Sequence, residues 1–347
     1  PASSKTLYQG YLSSLARNTA LSERLDHILN LARQEGIRII LLKGMALEKT
    51  IYGNRGLRQM NDIDLLTDRK DAVPLRNLLL SDGYWSIPFI SPLHEKIMPS
   101  YGKHLPEMYL NGVSVEIHFS LFEGRKNKLN EEFLKKAVKQ GEKEGRYYVP
   151  EPCTGFLYLI KHLVSHEKEG ASQLRLYADL VNLIRHHKKE ILTLRLYEDA
   201  VKAGLELQLY SKLKILGSFW GIKLPSWVES LPRNQGEKEL AEKFAEFLRK
   251  PEKIKVSHDE ADLLKPVMEI PGIKDKLLFV AGYIFPSITF MKFRYKTDSG
   301  SKALLYYPVR LLRLISISFR LILKKAGSQI SPLIKPILPG IIVKLKH

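Results

Sequence analysis

The chain has one cysteine, Cys153, in 347 residues. A disulfide within the chain is therefore excluded, as is any zinc site built on several thiolates, and a reducing compartment is the expected setting. Long apolar runs are missing too. The longest uncharged stretch, Leu277 to Met291, contains Pro286 and falls short of the roughly 20 residues that a membrane-spanning helix needs. No signal-peptide pattern is visible at Pro1-Ala2-Ser3-Ser4-Lys5, so the expected location is the cytoplasm, with a peripheral membrane position left open. Acidic residues run out at one end: none follows Asp298, whereas nine Lys or Arg do, half of the formal +18 left by 55 basic against 37 acidic residues.

What is present fits a globular enzyme of two or three domains, with 44% apolar residues. Thr6 to Gln34 reads as helix, with Leu21, Leu25, Ile28, Leu29 and Ala32 on one stripe and Gly36 as its stop. Gly36 to Leu42 reads as a strand. Lys43-Gly44 follows just before a short helical segment, where free backbone N–H groups and the positive helix end make a phosphate site and Lys43 adds a full charge. Arg58, leaving the loop Gly53-Asn54-Arg55-Gly56-Leu57, is placed to reach the same phosphates. A surface role for Lys43, and a structural role for Arg58 in holding Asp62 or Asp64, are the plainer alternatives.

Asn61-Asp62-Ile63-Asp64-Leu65-Leu66 reads as a buried strand. Alternation puts Asp62 and Asp64 on one face. Val113-Ser114-Val115-Glu116-Ile117-His118-Phe119 is a second alternating strand that would add Glu116 when laid beside the first. Three clustered carboxylates repel one another unless a cation neutralises them, and such hard oxygen ligands suit Mg²⁺ or Mn²⁺. His118 shares the face of Glu116 and is read as a hydrogen-bonded structural histidine within reach of the metal's outer contacts.

Leu42-Lys43-Gly44, then Arg58 and Met60-Asn61-Asp62-Ile63-Asp64-Leu65-Leu66, then Val115-Glu116-Ile117-His118, resemble the uncharacterised nucleotidyltransferase family of the polymerase-β-like superfold. The resemblance continues through Leu163 to Leu183 and into Phe285-Pro286-Ser287 and Tyr306-Tyr307. One departure is plain: the wider superfamily carries Gly-Ser in the phosphate turn, and Lys43-Gly44-Met45 lacks that hydroxyl. The resemblance implies an α+β fold, with a small mixed-sheet nucleotidyltransferase core, N-terminal helices and a mainly α-helical C-terminal part. It also implies that the helical segment faces the metal site, so that Arg175 and Asp179 contact the base, sugar or acceptor.

The expected division is residues 1–35 as N-terminal helices, 36–150 as the catalytic unit, 151–298 as a helical substrate domain and 299–347 as a basic amphipathic segment. Asp71 to Leu80 is a helix within the catalytic unit, Glu123 to Arg146 a charged helix and loop, and Tyr147 to Pro152 the boundary. His162 and His166 lie four apart on one helical face, followed by Gln173. Without the H-E-x-x-H order or a third ligand they are assigned to packing or substrate contact rather than zinc. Arg310, Arg313, Arg320 and Lys324 fall on one side of an otherwise apolar helix, for which an anionic membrane, RNA and the protein's own core all remain open as partners. Ser328 to His347, broken by Pro332, Pro336 and Pro339, reads as irregular.

The expected activity is metal-dependent transfer of a nucleotidyl group from a nucleoside triphosphate to an acceptor hydroxyl or phosphate. Asp62, Asp64 and Glu116 are the catalytic and metal-binding carboxylates. Sugar transfer from a nucleotide sugar, and a membrane- or RNA-associated binding protein, are the alternatives. The acceptor class is open among a small molecule, a peptide or glycan precursor, and RNA.

Overall fold

The computed structural model describes residues 2–122, 128–141, 147–168, 174–233, 235–249, 267, 270 and 272–327. The apolar stripe Leu21, Leu25, Ile28, Leu29 and Ala32 forms the inner face of helix α1 (Ala2–Gln34), and all five side chains are buried. Gly36 ends the helix. At a φ of +68° it lets the Ile37 amide turn back to the Ala32 carbonyl at 2.8 Å, a left-handed closure that glycine adopts with the least strain.

Strand β1 (Ile40–Leu41) is shorter than the expected run, although bonds from Leu42 N to Asp64 O and from Tyr148 N to Ile39 O, each 3.0 Å, carry its pairing one residue further on both sides. It stops because Lys43, with φ at +45°, turns the chain into α2 (Lys43–Leu47), which continues as a π-helical turn over Glu48–Tyr52. Next come β2 (Asp62–Leu66), α3 (Arg69–Ser81), β3 (Trp85–Ser86), α4 (Pro92–Tyr101), β4 (Met108–Leu110) and β5 (Val113–His118). Asn111 and Gly112, with φ of 50° and 75°, close the β4–β5 hairpin as a two-residue turn with both φ positive. Then follow α5 (Lys128–Lys136), β6 (Val138–Gln140) and β7 (Tyr147–Val149).

The strands form one mixed sheet in the order β3-β4-β5-β2-β1-β7-β6, with β2 parallel to β5 and β1 parallel to β7. Helix α1 packs against α3, β2 and β5. Helices α6 (Pro152–Lys168), α7 (Leu174–Ile191), α8 (Leu194–Ala203), α9 (Glu206–Trp220) and α10 (Glu237–Arg249) follow, and their apolar faces share one core with Ile40, Leu42 and Leu66 of the sheet region. The class is mixed α+β.

Two expectations are corrected here. Tyr147–Val149, read as a domain boundary, is a strand inside the sheet, because its backbone pairs with both β1 and β6. The charged segment before it holds α5 and the strand β6 rather than a helix and a loop; residues 123–127 and 142–146 lie outside the described residues. The chain forms two compact units: one comprises Pro1–Ile87 with Met98–Ser257, the other Pro88–Ile97 with His258–His347.

The second unit contains α11 (Ile273–Ile284), α12 (Ile288–Tyr295) and α13 (Gly300–Gly327). Ser287 caps α12 by accepting the Phe290 amide, and its own amide donates to Ile90 O at 2.8 Å. Tyr307 donates to Pro286 O at 2.7 Å, and Tyr295 stacks on Tyr306 with ring centroids 4.2 Å apart. Among the described residues no single helix is long and apolar enough to cross a membrane. The uncharged stretch 277–291 is broken between α11 and α12, which bend by 52° and pass that test only as a pair.

Two glycines of the N-terminal region should respond oppositely to alanine. Gly36→Ala should lose about 1 kcal/mol, because φ there is positive. Gly10→Ala, inside α1 with nothing within 4 Å of the added Cβ, should gain about 0.5–1 kcal/mol. Urea denaturation of both variants is the check, and equal shifts of one sign would contradict the assigned helix end.

Candidate active site

The parallel register of β2 and β5 sets Asp64 directly opposite Glu116, and Leu66 opposite His118. Asp64 and His118 are almost wholly buried, while Glu116 is about a quarter exposed. One ligand atom from each of these three residues lies within 4.8 Å of the others, a separation at which a single cation could be shared. His118 Nε2 stands 3.1 Å from Asp64 Oδ1 and 2.9 Å from Glu116 Oε2. The positive φ at Lys43 directs its side chain into the same cluster, with Nζ 2.7 Å from Asp64 Oδ1 and 3.7 Å from Glu116 Oε2.

The electrostatics follow from this packing. Burial works against both charged partners, yet Lys43 is raised by Asp64 and Asp64 is driven far below the carboxylate range by Lys43 and His118. His118 is raised by its bonds to the two carboxylates against the penalty of burial. Asp62 differs from its neighbour. It makes no hydrogen bond or ion pair among the described residues, and burial together with the charge on Asp64 pushes it up to about 6.

Several sequence expectations change at this point. Of the three expected acids, Asp64 and Glu116 group with His118 closely enough to share a cation, and Asp62 lies outside that group. The carboxylates are not left to repel one another, since Lys43 and His118 already supply counter-charge. Gly44 is closely packed on its Cα side. A Cβ on it would collide with the Arg58 guanidinium and come within 2.8 Å of Met60 Sδ, so glycine is needed there for close packing.

Arg58 pairs with Asp179 of α7 rather than with the strand acids. It is 5% exposed and clamps Asp179 bidentately, Nε to Oδ1 and Nη2 to Oδ2, both at 2.8 Å. Tyr52 donates to the same Asp179 oxygen at 2.8 Å, and the Arg58 carbonyl accepts from Asn18 of α1 at 2.6 Å. Asp179, expected at the substrate, is therefore committed to this clamp. Arg175 donates to the Gln59 carbonyl from the same helix, α7; Gln173 lies outside the described residues.

A cavity of about 260 Å³ opens beside the cluster, lined by Lys43, Glu116 and His118 and by His162 and His166 of α6. His162 and His166 meet edge to face with ring centroids 4.4 Å apart, and burial followed by Lys43 holds His162 neutral, down to about 3. Lys103, His104, Tyr158 and Lys161 complete the wall and were not singled out by sequence reasoning. His104 Nδ1 lies 3.2 Å from Glu116 Oε1, reached through a bridge that pairs His104 with His118. Only that long-range pairing places His104 here, whereas the i, i+4 spacing of Tyr158, His162 and His166 on α6 was visible in the sequence. The lining thus holds three lysines and four histidines against one carboxylate, a composition suited to a polyanion. Another cavity, about 510 Å³, is bordered by Phe244, Lys212, Tyr177 and Glu167, and there the charged groups are already bonded to one another.

The sequence profile of the uncharacterised nucleotidyltransferase family matches residues 1–221, nearly two thirds of the chain and all of the cluster and cavity. The chain belongs to that family. The match does not extend to Phe285-Pro286-Ser287 or Tyr306-Tyr307, where the resemblance had been expected to continue. No curated protein matches the chain in sequence. Among solved structures, ANT(2")-Ia in complex with adenylyl-2"-tobramycin is 8% identical over 55% of this chain and 95% of its own, with a TM-score of 0.35. A tRNA-processing enzyme in an apo form is 13% identical over 84% and 97%, with a TM-score of 0.26. A further tRNA-processing enzyme complex is 12% identical over 74% and 87%, with a TM-score of 0.24. At these scores the neighbours bear on neither donor nor acceptor.

The Arg58–Asp179 clamp of this nucleotidyltransferase-family chain should be structural. Arg58→Ala, which leaves Asp179 buried and uncompensated, should lower unfolding free energy by about 3–5 kcal/mol. The double change Arg58→Met with Asp179→Leu should recover much of that loss. Chemical denaturation of both variants tests this, and a loss under about 1 kcal/mol for Arg58→Ala would remove the clamp from the fold's supports.

Proposed function

We propose that the chain transfers a nucleotidyl group from a nucleoside triphosphate to a hydroxyl or phosphate oxygen of an acceptor, with a divalent cation at the β2–β5 acids. The observation that carries this reading is the convergence of Asp64, Glu116 and His118 at the edge of a basic cavity, in a chain of nucleotidyltransferase family. In the reaction the acceptor oxygen forms a bond to the α-phosphorus, the bond to the bridging oxygen breaks, and pyrophosphate leaves.

The donor set suits a divalent cation, and Asp62, a carboxylate left without a partner in a partly buried position, is the group such a charge would relieve. Two carboxylates favour Mg²⁺ or Mn²⁺, and the imidazole in the set shifts the preference toward Mn²⁺. Bound there, the ion would polarise a phosphoryl oxygen and lower the pKa of a coordinated hydroxyl. Lys43 would move its charge from Asp64 toward the departing pyrophosphate, and Lys103 and Lys161 would hold the outer phosphates along the cavity wall. Glu116, the more exposed acid, would accept the acceptor's proton, while Asp62 and Asp64 hold the remaining negative charge. His162 and His166 would shape the wall as neutral imidazoles.

Nucleoside triphosphates with Mn²⁺ or Mg²⁺ should raise the melting temperature, and Asp64→Asn should abolish both that shift and turnover without unfolding the protein. The check is a thermal-shift screen paired with pyrophosphate release. Turnover by Asp64→Asn at the wild-type rate would sink the assignment. Stabilisation by nucleotide sugars alone, with no pyrophosphate released, would replace it with sugar transfer.

A further inference from the structure

The second unit turns its apolar side chains outward. Along α11, Ile273, Leu277, Val280 and Ile284 recur at the spacing of one helical face, and all four are exposed, as is Phe285 just beyond. Along α13, Leu305, Val309 and Leu312 repeat the pattern and are 74%, 53% and 68% exposed, with Leu304 and Ile315 beside them. Arg310 does the reverse. It is 9% exposed, its Nη2 donates to Tyr283 O at 3.0 Å, and its guanidinium lies 4.9 Å from the Tyr283 ring centroid. A helix packed only on its own domain would bury the leucines and expose the arginine. Exposed apolar stripes on two helices exceed the scattered apolar residues of an ordinary surface.

The charge around these stripes is mainly positive. Lys274, Arg294, Lys296, Lys302 and Arg313 are exposed, and Asp275 and Asp298 are the only acids between 272 and 327. Lys292, Arg294 and Lys296 share one recess with Phe293 and a single acid, Asp298. In sequence, residues 328–347 carry Lys335, Lys344 and Lys346 and no acid. RNA would satisfy the basic residues but not the leucines. A second copy of the chain would meet the patch with its own positive charge.

We propose that the α11 and α13 faces of the second unit are a docking surface for an anionic phospholipid bilayer, with the apolar stripes entering the headgroup boundary and the flanking lysines and arginines on lipid phosphates. Such binding combines buried apolar area with attraction to negative lipid and needs no helix to cross the membrane.

The test is flotation of the full chain with phosphatidylcholine vesicles, with and without phosphatidylglycerol, at low and high salt. Wild type should float with the anionic vesicles only, and less at high salt. Leu277→Gln, Leu305→Gln and Leu312→Gln combined should weaken binding at least about tenfold with an unchanged melting temperature, since all three side chains are exposed. Lys302→Gln with Arg313→Gln should cost about fivefold per charge removed. Absence of flotation overturns the proposal, as does a triple variant that floats like wild type. A dimer split by the triple substitution, without flotation, would assign the stripes to a second copy. A salt-labile RNA complex that survives the triple substitution, again without flotation, would assign the basic residues to RNA.

Discussion

Two parallel strands in register place Asp64 against Glu116, and the charge that results has to be answered by the surrounding structure. Carboxylate oxygens within 4.8 Å of each other repel by about 3–4 kcal/mol at an effective dielectric of about 20. Lys43 and His118 offset that repulsion through contacts of 2.7 to 3.7 Å. The need to bring Lys43 there accounts for its left-handed backbone between β1 and α2, since a chain continuing as extended strand would carry the ammonium elsewhere. The same arrangement leaves Asp62 without a partner, so the cluster retains negative charge that a divalent cation would relieve.

The second constraint is the buried Arg58–Asp179 pair, which ties the loop before β2 to helix α7. Asn18 fixes the same loop from α1 through carbonyl oxygens of Arg55 and Arg58, so helices distant in sequence hold the entry to β2. A pair this buried contributes chiefly by being complete, because desolvation offsets most of the attraction and the large penalty falls on a single survivor. Gly44 belongs to this constraint, leaving the space that Arg58 and Met60 occupy.

The legible parts of the chain were those with local causes. The α1 stripe and its glycine stop, the helix expected over Asp71–Leu80 and found as α3, and the alternation of β2 and β5 depend on residues a few positions apart, and all are present. Tyr147–Val149 was read as a boundary because Pro150 and Pro152 punctuate it, yet it becomes a strand between β6, just upstream, and β1, more than 100 residues away. Arg58 and Asp179 were both assigned to substrate for want of any signal in either segment that each would find the other. His104 was overlooked for the same reason.

The sequence by itself determined α1 and its stop, α3, the family, the two acidic strands and the excess of positive charge at the C-terminal end, because periodicity, turn chemistry and composition are properties of neighbouring residues. Tertiary structure decided which charges meet. It brought His118 beside Asp64 and Glu116, turned Lys43 onto the acids, paired Arg58 with Asp179 in a clamp, gathered lysines and histidines from four segments into one cavity, and left apolar side chains of α11 and α13 exposed. The reason is physical: burial and electrostatic pairing depend on distances across the fold, which spacing along the chain does not encode.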